Sequence, residues 1–434
     1  MKKLYRVLSF SLIIMGIGTQ AQVKYNLFTT FGSAINDIND VGIAITRSKY
    51  YNYNTDTWTN KEIQSQGLVS INNNGDVAGQ MYYDENAFTF QPAYLQNGIW
   101  KPIGWFPESV PGTSGFTTCR ISNNSKFVTG QMSKEVNNVS KYGIFYYKTE
   151  TSSLEEIFDD SYVALAGYSV NNNGIISGWA DNQLNGSTNR IPAYITPDHQ
   201  IHLIYDPTIP SQAGGANDIN DSNFMVGELQ QAPFTYDINT GTLTRFEIPE
   251  GYWNANFVSV SENNIAIGYA QYLDSGGNPV RDAIIYHPSL GSQPVFLKDL
   301  LAQHGININT SDGLMGTGYS ISPNGRYVGG WIGSYIFGYG WLVDLDTAVL
   351  NTKDINKESN ISVYPNPVKD IIHVKSDNKI DNIQIFDLSG KRLKTFDSFI
   401  NQEAKMDLSS LILGTYIMTI TGKGKSQTTK IIKE

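Results

Sequence analysis

The first 350 residues alternate short apolar and polar runs, and one nine-residue pattern recurs among them seven times. Each copy opens with a β-branched residue, continues through polar residues rich in asparagine, and closes with an apolar segment that usually ends in glycine. The copies begin at Ile38, Ile71, Ile121, Val170, Ile219, Val260 and Ile321. Asn-Gly and Asn-Asn pairs tolerate the positive φ angles of tight turns, so each copy predicts a β-hairpin.

A second hairpin follows later in each unit, for example over residues 92–103 and 232–246. Each unit therefore supplies four short antiparallel strands, and four strands repeated seven times are typical of a β-propeller. A β-solenoid and a row of sandwiches are the alternatives, but starts that lie 33 to 61 residues apart are too widely spaced for a solenoid coil. The prediction is an all-β chain with a seven-bladed β-propeller over residues 22–350.

The two ends of this region complement each other. Residues 340–345 supply a third strand after the last copy of the pattern, and a fourth strand is missing there. Residues 24–30 precede the first copy and have no partner of their own. We expect these two segments to pair, because pairing completes the seventh blade and removes an exposed sheet edge.

The last 74 residues carry four further motifs in order. They are Tyr364-Pro-Asn-Pro367, the turn Asp387-Leu-Ser-Gly-Lys391, the strand Leu411-Ile-Leu-Gly-Thr-Tyr416 and a basic end at residues 430–433. Residues 361–434 closely resemble the type A C-terminal sorting domain of proteins exported by the type IX secretion system of Bacteroidetes.

The resemblance implies a small immunoglobulin-like β-sandwich, which the apolar and polar alternation of this region also suits. It implies recognition by the type IX secretion machinery at the outer membrane and removal during export. The residues of the sorting signal would be Tyr364, Pro365, Asn366, Pro367, Gly390, Lys391, Gly414, Tyr416, Lys430 and Lys433.

The repeated pattern is itself similar to the HAF-type extracellular repeat, whose core reads I-N-x-x-G-x-x-V-G, over residues 23–350. That resemblance implies no activity. Residues 1–21 have the positive start, short apolar run and small-residue end of a signal peptide, with a buried first helix as the alternative. The polar residues 351–360 read as a linker. The predicted location is the cell surface or the medium, with no transmembrane segment in the mature chain.

Composition narrows the possible partners. Charged residues make up only 16% of the chain, and a single cysteine leaves stability to packing. Residues 22–360 carry a net charge of −15 and residues 361–434 a net charge of +3. The acidic main body repels phosphate backbones, so we expect no nucleic-acid partner.

No catalytic, metal or cofactor motif stands out. The five histidines form no ligand pattern, and the turn at residues 37–48 departs from a calcium loop because Val41 and Ser48 stand at ligand positions. The asparagine-rich turns are therefore interpreted as turn geometry. A carboxylate pair from separate blades stays open, since adjacent acids in sequence do not face each other. The sequence predicts no metal and no cofactor.

Two groups of residues are candidates for ligand binding. Arg120, Asp37 and Asp218 precede copies of the pattern, where strands converge on the propeller axis. They predict an internal ion pair, solvated channel residues or a polar ligand contact. Trp105 and Trp253 lie in long connections, where aromatic faces either pack between blades or stack on sugars. The connections expected to share one rim and to bind the ligand are 104–119, 180–192, 249–258, 269–282 and 302–319.

These features favour a noncatalytic propeller at the cell surface or in the medium that binds a glycan or a protein. The alternatives are a polysaccharide-processing enzyme, either a glycosidase or a lyase, and a structural or adhesive surface protein. Facing carboxylates in the central pocket would favour the enzyme, and an aromatic platform without them would favour binding.

Overall fold

The computed structural model describes residues 23–30, 32–62, 65–84, 88–110, 115–181, 190–308, 313–333, 338–345, 361–376, 380–387, 392–397, 403–422 and 425–434. The chain divides into two compact units between residues 351 and 352. The predicted signal peptide and the predicted linker lie outside the described residues. No helix among the described residues is long and apolar enough to span a membrane.

The first unit consists of consecutive four-stranded antiparallel blades. Blade 1 holds β2 (Asp37–Ile38), β3 (Ile43–Ile45), β4 (Lys49–Asn52) and β5 (Thr57–Asn60). Blade 2 holds β6 (Ser65–Ile71), β7 (Val77–Asp84), β8 (Thr89–Gln96) and β9 (Ile99–Pro102). Blade 3 holds β10 (Phe116–Ile121), β11 (Phe127–Val136), β12 (Val139–Lys148) and β13 (Ser153–Ile157). Blade 4 holds β14 (Ala164–Val170), β15 (Ile176–Asp181), β16 (Arg190–Ile195) and β17 (Ile201–Leu203). A parallel bridge between Tyr142 and Ala164 joins blades 3 and 4.

Blades 5 and 6 repeat the arrangement. Blade 5 holds β18 (Gly214–Ile219), β19 (Phe224–Leu229), β20 (Ala232–Asp237) and β21 (Thr242–Arg245). Blade 6 holds β22 (Asn254–Val260), β23 (Ala266–Leu273), β24 (Pro279–Tyr286) and β25 (Val295–Phe296). A 3-10 turn at Pro288–Leu290 and the helix α1 (Leu297–Gln303) follow β24 and β25, and buried leucines of α1 pack into the core.

Blade 7 closes the ring as the sequence predicted. It holds β26 (Thr317–Ile321), β27 (Tyr327–Ile332) and β28 (Tyr339–Asp344), with β1 (Lys24–Leu27) as its outermost strand. The strand β1 runs antiparallel to β28, with Lys24 opposite Asp344 and Leu27 opposite Trp341. The first and last strands of the unit therefore share one sheet, and β1 covers the edge that β28 would otherwise expose.

Each copy of the nine-residue pattern forms the turn between the two inner strands of a blade. Its fifth residue has a positive φ in all seven copies, between 63° and 80°. These residues are Gly42, Gly75, Ser125, Gly174, Asn223, Asn264 and Gly325. The second residue, Asn or Ser, accepts hydrogen bonds from amides later in the turn, as when the Asn171 side chain accepts from the amides of Asn173 and Ile175. The predicted turn geometry is confirmed.

The seven turns are also hydrogen-bonded to one another around the axis. The side-chain amide of Asn72 donates to the Ser122 carbonyl at 3.1 Å, and the side-chain amide of Asn220 donates to the Ser261 carbonyl at 2.9 Å. Further hydrogen bonds between neighbouring turns join Asn39 to Asn72, Asn124 to Asn172, Asn171 to Asn220 and Asn263 to Asn324. The backbone amide of Asn324 donates to the Asp40 carboxylate at 2.7 Å, and this bond connects the last turn to the first. The pattern therefore encodes contacts between blades as well as local turns.

The second unit has two antiparallel sheets around a core of its own. One sheet has the order β29 (Ile361–Tyr364), β30 (Ile371–Ser376), β33 (Glu403–Asp407). The other has the order β32 (Arg392–Asp397), β31 (Asn382–Phe386), β34 (Gly414–Gly422), β35 (Lys425–Lys433). Period-two alternation places Ile372, Val374, Ile383 and Ile385 in the buried core. The immunoglobulin-like character expected from the sequence stays a prediction.

Candidate functional site

A β-bulge recurs in the inner strands and places extra side chains on the axis. The register slips by one residue in the innermost strands of blades 2 to 7, as between Gly167 and Ser169 of β14. An extra residue in one strand breaks the alternation of faces, so two successive residues point the same way. The bulged residues Val69, Tyr168, Asn217, Val258 and Tyr319 all line one axial cavity of about 260 Å³.

In blades 2, 4, 5 and 6, the glycine that ends the repeated pattern lies opposite this bulge. A Cβ on Gly178 would stand 1.8 Å from the carbonyl oxygen of Ala166, and one on Gly268 would stand 1.9 Å from that of Asn256. Any side chain there would collide with the backbone of the bulged strand. Glycine at this position is therefore a steric requirement of the bulge, and the bulge in turn builds the cavity.

Arg120 divides the axis into two parts. It lines the 260 Å³ cavity on the side of the long connections and a smaller cavity, of about 80 Å³, on the side of the turns. Its Nη1 lies 3.9 Å from Oδ2 of Asp37. Burial lowers the pKa of Arg120, but the charges of Asp37 and Asp218 and the contact with Tyr319 outweigh it and raise the pKa above its ordinary value. Arg120 is therefore held charged on the axis.

The carboxylates of Asp37 and Asp218 accept hydrogen bonds from neighbouring blades. Asp37 accepts from the Ser320 hydroxyl at 2.7 Å and from the Ile71 amide at 2.9 Å, so it links blades 7 and 2 to blade 1. Asp218 accepts from the hydroxyl and amide of the neighbouring residues Ser259 and Val260 at 2.8 and 3.0 Å. Burial raises the pKa of Asp37, and Arg120 and these donors oppose that rise. An ion pair between Arg120 and Asp37, one of the alternatives from the sequence, is present.

A second cavity, of about 590 Å³, adjoins the axial cavity on the side of the connections. The two cavities share Tyr168, Asn217 and Asn256 as walls. We call them together the axial funnel. The side-chain amides of Asn217 and Asn256 are bonded to each other at 2.7 Å, so the funnel wall is held in one arrangement.

Cations stacked on aromatic rings stand in the funnel wall. The guanidinium of Arg281 lies 4.0 Å from the ring centre of Tyr269, and that of Arg190 lies 4.5 Å from the ring centre of Trp179. Nε1 of Trp179 donates to the Tyr168 hydroxyl at 2.8 Å. A planar guanidinium on an aromatic face is fixed in orientation and leaves its N–H edge available.

Glu228 is the carboxylate among the described residues that line the funnel. Asn254 donates to its Oε1 at 3.0 Å. Burial raises the pKa of Glu228, while Asn254 and the charge of Arg281 oppose the rise.

The opposite opening, on the side of the turns, is acidic. Asp37, Asp218, Asp221 and Glu262 line the smaller cavity there. Burial and the neighbouring charge of Asp221 raise the pKa of Glu262 to about 7, although it accepts from the Asp221 amide at 3.0 Å. The two ends of the axis therefore differ in charge.

The structure brings only part of the sequence-predicted site together. Arg120, Asp37 and Asp218 meet on the axis, whereas Trp105 and Trp253 lie outside the cavities. Trp105 is half-buried and packs edge-on against Phe116 with ring centres 5.6 Å apart. Trp253 is 44% exposed.

Sequence reasoning missed several funnel residues, including Tyr168, Asn217 and Trp179. Tyr168 and Asn217 stand two positions before a copy of the pattern, where an unbroken alternation would turn them away from the axis. The glycine at the end of the pattern could have indicated them, because it lies opposite the bulge that turns these two residues towards the axis. Four of the five predicted connections do contribute, through Arg190, Asn256, Tyr269, Arg281 and Thr317.

In the second unit, the first sorting motif is bonded to the basic end of the chain. Asn366 donates to the Lys430 carbonyl and accepts from the Ile432 amide, each at 2.8 Å. The Tyr364 ring stacks on His373, and the Tyr416 hydroxyl donates to the Ile412 carbonyl at 2.7 Å. Of the other predicted sorting residues, Pro365, Pro367, Gly414, Lys430 and Lys433 are described, whereas Gly390 and Lys391 lie outside the described residues.

Comparison with known families matches residues 362–434 to the secretion system C-terminal sorting domain. This match confirms the sorting domain predicted from the sequence. It supports export across the outer membrane to the cell surface or the medium. No curated protein matches the chain in sequence. The HAF-type repeat stays a prediction.

Several solved structures are similar to this chain at low identity. The extracellular domain of a hybrid two-component system from B. thetaiotaomicron has 11% identity and a TM-score of 0.44, with 94% of this chain and 57% of that chain covered. An oligogalacturonate lyase from Vibrio parahaemolyticus has 10% identity and a TM-score of 0.46, with 77% and 96% covered. The β-propeller domain of the trilobed protease from Pyrococcus furiosus has 9% identity and a TM-score of 0.42, with 74% and 93% covered.

Proposed function

We propose that this protein is an exported β-propeller that binds a glycan in the axial funnel. The observation that supports this most is the combination of aromatic rings and side-chain amides at one opening. Aromatic faces pack against sugar rings, and amides exchange hydrogen bonds with sugar hydroxyls. Tyr168, Tyr269 and Tyr319 supply rings, and Asn217, Asn256 and Gln231 supply amides.

The walls are rigid enough for such a role. Tyr168, Asn217 and Tyr319 lie on inner strands that are paired on blade sheets, and the turns at the other end of these strands are bonded around the ring. A binding site on rigid strands loses little conformational entropy when a ligand binds. The sorting domain delivers the propeller to a location where polysaccharides are accessible.

A glycosidase is less well supported. Hydrolysis of a glycosidic bond needs two carboxyl groups that face each other across roughly 5 to 10 Å. Glu228 alone supplies a carboxylate among the described residues that line the funnel. We therefore favour binding, and we keep a lyase, a protein ligand and a structural or adhesive role as outcomes of the test.

The sequence-predicted residues take different places in this proposal. Arg120 forms the base of the funnel and contacts the ligand, while Asp37 and Asp218 hold Arg120 in position. Trp253 is exposed at the predicted rim, outside the funnel, and is not part of the proposed site. Trp105 packs against Phe116 and contributes least.

The test is a glycan array with the purified full chain, followed by titration of the ligands found. Tyr269→Ala should weaken binding at least about tenfold, since a lost stacked aromatic contact typically costs 1–3 kcal/mol. Tyr205→Ala is the control, because Tyr205 is 61% exposed and does not line the funnel. Circular dichroism should show both variants folded.

Other results would contradict the proposal. Normal binding by Tyr269→Ala, with loss of binding in Trp253→Ala or in variants of the turns, would place the site elsewhere. Release of shortened chains or of unsaturated ends from a bound glycan would identify an enzyme. An array with no bound glycan would refute the glycan ligand.

A further inference from the structure

We propose that the funnel is specific for acidic saccharides, with Arg281 and Arg190 binding the carboxylates of hexuronate units. This inference rests on the proposed glycan-binding function and adds the charge of the ligand. Its basis is a pair of aromatic-stacked guanidinium groups in the wall of one funnel.

Arg281 has donors left over after its protein contacts. Its Nε donates to Gln271 at 2.7 Å, and its Nη1 reaches the Thr317 hydroxyl at 3.5 Å. A guanidinium carries five N–H donors, so three remain. Among the described residues, neither Arg281 nor Arg190 forms a salt bridge within 4.0 Å. Two oriented guanidinium edges with no carboxylate of the described residues within 4.0 Å match the bidentate geometry of a bound carboxylate.

The charge of the funnel contrasts with that of the chain. The chain carries a net charge of −9, yet three arginines and one carboxylate, Glu228, line the funnel. Beyond Arg120, the other opening is lined by Asp37, Asp218, Asp221 and Glu262. The field along the axis therefore draws anions to the side of the funnel.

A saccharide fits the rest of the lining better than an acidic peptide does. Asn217, Asn256, Gln230 and Gln231 present amide groups that donate and accept, which suits vicinal hydroxyls. Gly214 and Gly215 line the larger cavity without side chains of their own. A peptide ligand would be expected to add a strand to an exposed sheet edge, and the tetraglutamate peptide in the panel below tests that alternative.

The experiment titrates the full chain with a panel of acidic oligosaccharides. The panel holds trimers of galacturonate, glucuronate, mannuronate and guluronate, the methyl esters of the same trimers, neutral trimers of galactose and glucose, and a tetraglutamate peptide. We expect at least one free acid to bind, its methyl ester to bind at least about tenfold more weakly, and added salt to weaken the acid selectively.

Variants then identify the groups responsible. Arg281→Gln and Arg190→Gln should each weaken binding of the acid about tenfold and weaken binding of the ester much less. Arg281→Lys should restore part of the loss, because it keeps the charge without the planar fork. Arg392→Gln, in the sorting domain, removes the same charge elsewhere and should bind as the parent chain does.

Each alternative result has a distinct meaning. Equal binding of acid and ester, or binding of neutral trimers alone, overturns the inference and leaves the proposed glycan-binding function standing. Binding of the tetraglutamate alone overturns both. Failure of every acid in the panel overturns the inference, and the glycan array decides the fate of the proposed function separately. Unchanged acid binding in both Arg→Gln variants overturns the assignment of these two residues.

Discussion

Gly178 lies directly against the backbone of Ala166, and a Cβ at Gly178 would stand 1.8 Å from the Ala166 carbonyl oxygen. The contact exists because β14 carries an extra residue, Tyr168, between two residues that pair normally with β15. That extra residue points into the axial cavity. The same bulge thus requires the glycine on β15 and directs the Tyr168 ring into the wall of the funnel.

Gly178→Ala should destabilise the propeller by about 3 kcal/mol, at the upper end for overpacking, because backbone rather than a flexible side chain must move. Denaturant unfolding of the full chain measures the change. Gly67→Ala is the matched control, since Gly67 also lies in an inner strand and its Cβ would meet nothing nearer than 3.7 Å. Equal stabilities for the two variants would show that the bulge yields easily.

Asn220→Ala should destabilise the ring by about 2–4 kcal/mol. Its buried amide donates to the Ser261 carbonyl at 2.9 Å and to Asn264 at 2.7 Å, and its oxygen accepts from two amides of its own turn. Removal leaves several buried polar groups without partners.

Asn220→Ser should lose less, because serine occupies the same place in three other copies of the pattern and still accepts from its own turn, as Ser261 does from Ile265. Thermal unfolding of both variants measures the difference. If Asn220→Ser is as destabilising as Asn220→Ala, the contact between blades outweighs the turn cap.

Stability should depend on pH through Glu262. Its pKa rises from its ordinary value of 4.5 to about 7 in the folded protein, because burial and Asp221 disfavour the charged form. The folded state then binds more protons than the unfolded state in this range, so the free energy of unfolding should fall as pH rises from about 4.5 to about 7. Burial also raises the pKa of Asp221, which acts in the same direction.

Glu262→Gln should remove this component. Glutamine keeps an oxygen that accepts from the Asp221 amide but carries no charge. We expect a gain of about 1 kcal/mol above pH 7, less than the full shift would give because Glu262 is partly exposed, and no gain near pH 4.5. Glu250→Gln, at an exposed site, is the control. A gain that grows towards acidic pH would contradict the assignment.

Deletion of residues 361–434 should leave the folded propeller in the periplasm, because the sorting domain directs passage across the outer membrane. Fractionation of cells that express the full chain and the truncated chain tests this. Normal delivery of the truncated chain to the surface would show that export uses another signal. Asn366→Ala should reduce delivery to a smaller degree, since it removes two hydrogen bonds to the basic end of the chain.

Much of the architecture could be predicted from local chemistry. A positive φ at the fifth position of the pattern requires Gly, Asn or a strained residue, and that requirement is visible in sequence at Gly75, Gly174 and Asn264. The pairing of β1 with β28 could also be predicted, because the sequence shows a last blade that lacks a fourth strand and a first segment that lacks a partner. The sorting domain was recognisable because its motifs are continuous stretches of chain.

The candidate site was less predictable for two physical reasons. A bulge adds one residue to one strand, so the period-two rule assigns Tyr168, Asn217 and Tyr319 to the wrong face. Their place in long connections indicates Trp105 and Trp253 as ligand contacts. Whether each is buried, as Trp105 is against Phe116, or exposed outside the funnel, as Trp253 is, depends on how the blades pack.

The sequence by itself determined the hairpin turns, the closing strand and the export signal, because each depends on residues close together in the chain or on two complementary ends. Only the tertiary structure decided which residues meet on the axis. Arg120 and Asp37 are far apart in sequence and meet because the closed ring brings separate blades to one axis. Arg190 and Arg281 are also far apart in sequence, and they line two adjoining cavities of the funnel for the same reason. Proximity of this kind is set by ring closure and strand register, which no local pattern encodes.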